Sequence, residues 1–328
     1  MTILVTGAAG FIGSHVAGAL LDRGERVVGL DDLNAYYDPA LKRARLTRLE
    51  ARGSQFAFTR ADATDRQAVN QLVDTNPDID RIVHLAAQAG VRYSLENPWA
   101  YVDANIHSQI TVMEAARRLP GLQHLVYASS SSVYGGNTKL PFSVDDPVDQ
   151  PVSVYAASKR AAELMAETHA HLYRLPMTGL RFFTVYGPWG RPDMAAYLFT
   201  KAMLGGRAIP VFNHGRMKRD FTYIDDIVAG VLAALDRPPA DPGAPARPHR
   251  LYNLGNHKTE DLGHFIEVLE RATGRTAEKD MQEMQPGDVP ATYADIDASI
   301  RDLGFQPTTT IEDGLPKFVE WFRAYHGV

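Results

Sequence analysis

An apolar run, Ile3-Leu4-Val5, leads directly into Gly7-Ala-Ala-Gly10-Phe-Ile-Gly13, and this junction constrains the fold more than any other feature of the chain. Ile12, Val16 and Leu20 then recur every four residues, which puts them on one face of a helix ending near Gly24. A second apolar run, Arg26 to Leu30, completes a strand–helix–strand unit. Glycine lacks a Cβ, so Gly7, Gly10 and Gly13 permit a tight turn and close approach of a ligand, with Phe11 and Ile12 between them on the first helical turn. Free amides and the positive end of the helix dipole at such a site favour a pyrophosphate. The spacing is G-x-x-G-x-x-G, and a purely structural turn would use glycine too. Strand, glycines and helix nevertheless occur in the order that dinucleotide binding requires.

Further short apolar runs at Gln55 to Thr59, Arg81 to Leu85, His124 to Ala128 and Met177 to Phe182 read as buried parallel strands. Helical segments separate them: Arg66 to Asp74, with Val69, Leu72 and Val73 inward, Pro98 to Arg118, and Val154 to Tyr173. The alternation predicts an α/β fold with a doubly wound parallel sheet of the Rossmann type. After Phe182 the pattern turns to loops rich in glycine, proline and aromatics, with helices at Ala195 to Leu204 and Leu262 to Thr273. This predicts a dinucleotide unit over 1–181, a smaller substrate lobe over 182–328, and a return into the sheet within 221–254. Pro238 to Pro248 is read as an exposed, mobile loop without a functional role.

Composition narrows the chemistry. The net charge of -5 is spread along the chain without a basic run, so neither nucleic acid nor an anionic membrane is an expected partner. Cysteine is absent, which removes disulfides and thiolate chemistry and is compatible with a reducing compartment. No segment approaches the roughly 20 apolar residues of a membrane span, and no basic leader opens the chain, so a cytoplasmic location is expected. The histidines lack metal-binding spacing; His84 is expected to pack at a strand end, and His169 and His171 to be solvated.

Candidate site residues follow from topology. Asp31 closes the second strand, where a carboxylate accepts from ribose hydroxyls and repels a 2′-phosphate, favouring NAD. Either Asp31 or Asp32 could instead cap a loop, and Asp62 after the third strand could face adenine or cap a helix. Tyr155 and Lys159 are one helical turn apart, so they share a face. A phenol titrates near pH 10, and nearby positive charge from a lysine ammonium and an oxidised nicotinamide would make it an acid/base near neutrality. Ser130, where the fifth strand ends, lies at the sheet's carboxyl edge and could bond a reacting sugar hydroxyl; a serine cluster there could also be turn chemistry alone.

Taken together, TGAAGFIG (6–13), LDDLNAYYD (30–38), HLAAQAGVRYS (84–94), SSSSVYG (129–135), YAASK (155–159) and RDFTYIDD (219–226) resemble the extended short-chain dehydrogenases/reductases acting on nucleotide sugars, and within them the UDP-glucuronate 4-epimerases. The likeness spans essentially the whole chain. It implies tightly held NAD, a UDP-sugar substrate, a 4-keto intermediate, and a homodimer packed through helices near Pro98 to Arg118 and Val154 to Tyr173. It also implies that Asp31, Asp32 and Asn34 face the adenosine ribose, Asp62 and Ala63 the adenine, Leu85, Ala86, Ala87 and Gln88 the centre of the cofactor, and Phe182 the nicotinamide. Asn213, Arg219 and Asp288 fall in segments that usually line the UDP site.

Within that resemblance, positions where dehydratases and decarboxylases carry carboxylates read Ser131 and Ser132, and the stretch from Arg181 to Met194 looks like that of the glucuronate epimerases. A uronate oxidised at C4 is a β-keto acid prone to lose carbon dioxide. Ser131, Ser132 and Thr184, with Arg191, are the expected restraint on its carboxylate; a neutral-sugar epimerase, a uronate decarboxylase and a non-catalytic dinucleotide sensor are the alternatives.

Overall fold

The computed structural model describes all 328 residues. Seven parallel strands form one sheet: β1 (Thr2–Thr6), β2 (Arg26–Asp31), β3 (Phe56–Arg60), β4 (Ile79–His84), β5 (His124–Ser130), β6 (Met177–Phe182) and β7 (His249–Leu254). Their spatial order is β7-β6-β5-β4-β1-β2-β3. The direction of winding reverses between β1 and β4, and the crevice beyond their carboxyl ends is where such sheets bind ligands. Side chains alternate across this sheet. Ile3, Val5, Val83 and Val126 join a core of 54 buried residues on one face, while Leu4, Ile82, Leu125 and Tyr127 join one of 20 on the other. A strand buried on both faces must be apolar at every position, which is why the runs read as continuous rather than alternating.

Helices α1 (Phe11–Asp22), α2 (Pro39–Glu50), α3 (Arg66–Thr75), α4 (Ser108–Ala116), α5 (Val154–Tyr173), α6 (Ala195–Leu204), α7 (Ile224–Leu235), α8 (Leu262–Thr273) and α9 (Ile311–His326) surround the strands. On α3 the buried residues are Val69, Leu72 and Val73, as its periodicity predicts, and Asp65 caps its first turn. Ser153 caps α5 by accepting from the Ala156 amide at 3.1 Å. The return into the sheet is β7, paired in parallel with β6, while α7 packs on α1. No helix is long and apolar enough to cross a membrane.

Three features depart from the sequence reading. Pro98 to Arg118 is not one helix: Trp99–Tyr101 and α4 are separated by a π turn, Val102–His107. Helix α2 has no clear apolar period and goes unpredicted, although Asp38 accepting from the Ala40 amide at 2.8 Å with Pro39 at the first helical position is a readable start. His169 is not solvated: its ring bonds Glu114 of α4 at 2.8 Å and packs against Tyr173. His84 packs at its strand end, and Pro238 to Pro248 lacks regular structure, as expected. Arg174 tethers that loop through Asp241 and the Ala246 carbonyl.

Candidate active site

A cleft of about 830 Å³ runs along the carboxyl edge of the sheet. One end is the glycine turn. Gly7 has φ +70, and a Cβ there would lie 2.8 Å from the Ala86 amide; a Cβ on Gly13 would collide with the Gly7 carbonyl. No side chain caps α1, which leaves its first-turn amides open to an anion. Asp31 is 7% exposed and accepts from the Ala9 amide at 3.0 Å and the Leu33 amide at 2.9 Å. Burial pushes its carboxyl up, and those amides with Lys42 oppose the shift. Asp31 therefore caps its loop and lines the cleft at once.

Asp32 holds the Asn34 amide at 2.9 Å, and Asn34 accepts from Lys42 at 2.9 Å. Asp62 caps the turn to Thr64 at 2.8 Å and, with Ala63, lines the far wall. Leu85, Ala86, Ala87, Gln88 and Phe182 line the middle. These residues fit a dinucleotide: a cradle that any Cβ would fill, an anion-ready helix end, and a carboxylate in place of the cation that a 2′-phosphate would need.

At the centre stand Tyr155, Lys159 and Ser130. Burial raises the Tyr155 phenol above its ordinary value; the Ser130 hydroxyl and the charge of Arg191 oppose that shift without cancelling it, and Asp193 adds to it. Arg191 is thus one cation whose charge reaches the phenol, which the sequence reading did not anticipate. Lys159 donates to the Ala128 carbonyl at 3.0 Å. Burial lowers its ammonium to about 8, and Glu163, one turn further along α5, opposes that shift. Glu163 in turn is locked to Arg181 of β6 at 2.8 and 3.0 Å and accepts from Ser129 at 2.6 Å.

Beyond Tyr155 the cleft is walled by Ser131, Ser132, Thr184 and Arg191. Thr184 opens a short strand, Thr184–Tyr186, paired with Phe221–Tyr223. Arg191 is half-buried and bonds Asp193 at 3.0 and 2.5 Å. At the far end Arg219 and Asp288 reach the cleft, joined by Arg92, which pairs with Asp288 at 3.1 Å and lies 4.1 Å from the Phe212 ring. Asn213 departs from expectation. It sits in a turn with φ +50, and its carboxamide folds back to the Arg216 carbonyl at 2.8 Å, leaving Phe212 to line the cleft.

Sequence reasoning missed Asn105. It is 3% exposed on the π turn, accepts from the Gln88 amide at 2.8 Å, and donates to the Gln88 carbonyl at 3.0 Å and to Ser158 at 2.9 Å. The widened turn inserts this carboxamide between the exit of β4 and the helix bearing Tyr155; π turns recur at functional sites for such reasons.

A 3-2-1-4-5-6-7 parallel sheet with a glycine-cradled cleft lined by tyrosine, lysine and serine side chains defines a nicotinamide-dinucleotide enzyme. Residues 3–255 match the NAD dependent epimerase/dehydratase family, and the chain belongs to it. The chain is 48% identical over 335 residues to UDP-glucuronate 4-epimerase 4 of Arabidopsis thaliana, covering 99% of this chain and 76% of that protein. It is also 48% identical to Protein CapI of Staphylococcus aureus over 337 residues, 99% of each. Its fold is similar to UDP-glucuronic acid 4-epimerase from Bacillus cereus solved with UDP-glucuronic acid and NAD, with TM-score 0.90, 34% identity, and 99% and 100% of the two chains covered.

Proposed function

We propose that this protein inverts C4 of UDP-glucuronate to give UDP-galacturonate through a transient 4-keto sugar. The observation that carries this reading is the wall opposite Tyr155. Hydroxyls of Ser131, Ser132 and Thr184 and the cation of Arg191 line the same cleft as Tyr155, a donor set that suits a carboxylate better than the hydroxymethyl group of a neutral hexose. NAD, when bound, supplies the acceptor and donor for the C4 hydride. Tyr155 takes the proton of the C4 hydroxyl and returns it after the ring has turned over, with the Ser130 hydroxyl and the charge of Arg191 favouring the ionised phenol. Lys159, anchored on Ala128, keeps a second cation on the face of α5 that bears Tyr155.

The 4-keto uronate would lose carbon dioxide if the C5–C6 bonding pair entered the C4 carbonyl π system and C5 took a proton. Holding the carboxylate in the ring plane prevents that overlap. Arg92 and Arg219 take the diphosphate end, and Asp288 orients Arg92. Residues 1–181 with the return segment 221–254 form the NAD unit, and the remainder of 182–328 forms the sugar-nucleotide lobe.

A homodimer belongs to the same reading. Leu164 and Leu172, eight residues apart on α5, are 49% and 60% exposed, and Trp99 is 75% exposed; an apolar stripe of this kind favours a second copy over water. A cytoplasmic location is supported by a chain free of cysteine. Comparing kcat/KM on UDP-glucuronate and UDP-glucose tests the substrate assignment. The uronate is expected to win by at least about a hundredfold, as one charge-assisted site allows; a preference for UDP-glucose would replace this reading with a neutral-sugar epimerase.

A further inference from the structure

The LDDLNAYYD segment holds two tyrosines that cofactor binding leaves unexplained: Tyr36 reaches the loop that carries Arg191 directly, and Tyr37 does so through Arg45. Tyr36 donates to Asp193 Oδ2 at 3.2 Å, and the same carboxylate grips the Nε/Nη2 edge of Arg191. Tyr37 accepts from Arg45 Nη1 at 2.6 Å. Arg45 is fully buried, and its hydrogen bonds all go to neutral oxygens: Tyr37, Ala9 of the glycine turn at 3.2 Å, Trp189 at 3.1 Å from Nε, and Gly190 at 3.2 Å. Trp189 has φ +62, a costly conformation for a residue with a Cβ, and Arg45 holds its carbonyl in place.

The loop is therefore clamped before Arg191 by Arg45 and after it by Tyr36, both from the segment that follows β2. Gly90 closes the clamp from the other side: a Cβ there would stand 3.0 Å from the Tyr36 hydroxyl and 3.5 Å from Asp193 Oδ2. A guanidinium has five donors in one plane, so fixing one edge on Asp193 fixes the direction of the rest.

We propose that Tyr36 is a positioning residue that sets the aim of Arg191 at the substrate carboxylate, so that selectivity for a uronate and resistance to decarboxylation are controlled partly from the cofactor side of the cleft. This rests on the uronate reading above. Without the Tyr36 hydroxyl, Asp193 keeps its charge but loses the bond that orients it, and Arg191 swings with it. Tyr36 is half-buried and Tyr36→Phe removes one oxygen, so the fold is retained; Asp193→Asn is a second variant that loosens the same grip from the other partner.

The test measures kcat and KM on UDP-glucuronate and UDP-glucose, and carbon dioxide per turnover, for wild type, Tyr36→Phe, Asp193→Asn, Arg191→Met and Tyr36→Phe/Arg191→Met. Tyr36→Phe should lower the uronate preference roughly tenfold, the size of one hydrogen bond to a charged group, chiefly through KM on the uronate, and should raise carbon dioxide release. Asp193→Asn should move both in the same direction. In the Arg191→Met background Tyr36→Phe should add less than about twofold, because both act through one group. An unchanged preference in Tyr36→Phe, or the full loss persisting without Arg191, would overturn the proposal. A wild type inactive on UDP-glucuronate would instead remove the uronate reading itself, and this inference with it.

Discussion

Glu163 and Arg181 meet in a doubly hydrogen-bonded ion pair, 2.8 and 3.0 Å, with neither side chain more than 1% exposed. The pair joins the helix of Tyr155 and Lys159 to strand β6, and Ser129 and Tyr134 bond to its two ends at 2.6 and 3.0 Å. Removing Glu163 strands a buried guanidinium, and removing Arg181 leaves the Glu163 carboxylate only the longer ionic contact to Arg160 at 3.2 Å. Glu163→Gln or Arg181→Met is therefore expected to cost about 3–5 kcal/mol, and the double variant Glu163→Met/Arg181→Met less than the sum of the singles. Urea unfolding of the three variants measures this; additive losses would mean the two side chains are not one unit.

Tyr155→Phe removes the acid/base and leaves the ring that packs against Tyr101 at 5.9 Å. Turnover should fall about 10²–10⁴-fold with the bound dinucleotide retained. Loss of the dinucleotide together with activity would assign Tyr155 to cofactor retention instead.

Thr184→Val and Arg191→Met each loosen the grip on the uronate carboxylate. Both should release carbon dioxide and yield some UDP-pentose from UDP-glucuronate, which isotope-labelled substrate detects. Slower epimerisation without a trace of carbon dioxide would deny these side chains the restraining role.

His84 and His124 are buried as neutral rings. Thr6 Oγ1 accepts from the Ala86 amide at 3.1 Å and shares a hydrogen bond with His84 Nδ1 at 2.7 Å; His124 is held between the Leu235 carbonyl at 3.1 Å and Thr178 at 2.9 Å. Burial pushes the two down to about 3 and about 4. Both folded values lie below the ordinary histidine value near 6.5, so from pH 6.5 to about 4 the unfolded chain takes up protons that the native chain refuses, and stability falls with pH. Asp220, raised to about 6 by burial, acts in the opposite direction below that value. The fall should reach about 1.4 kcal/mol per pH unit for each uncompensated histidine. His124→Gln should flatten the profile of unfolding free energy against pH; an unchanged slope would contradict this assignment.

The sheet was legible because every central strand is apolar on both faces, and the glycine turn because its neighbours leave no room for a Cβ. Tyr155, Lys159 and Ser130 were legible because helix period and strand end fix their relative places. What escaped depends on contacts between distant segments. Arg45 and Tyr36 take their meaning from Trp189 and Asp193, about 150 residues away, and nothing in the local pattern of α2 announces that. Asn105 sits in a π turn that helical periodicity reads as ordinary helix, and the left-handed backbone at Asn213 turned a polar residue away from the cleft. Arg191, whose charge reaches Tyr155, belongs to a loop 36 residues on, beyond what helical spacing can pair.

One chain with resident NAD should invert a uronate at C4 without consuming cofactor. Purified protein should be incubated with UDP-glucuronate and no added NAD, and the products followed by NMR with carbon dioxide monitored. UDP-galacturonate should accumulate to equilibrium with no carbon dioxide. UDP-pentose as the principal product, or no conversion of UDP-glucuronate even after NAD is supplied, would contradict it.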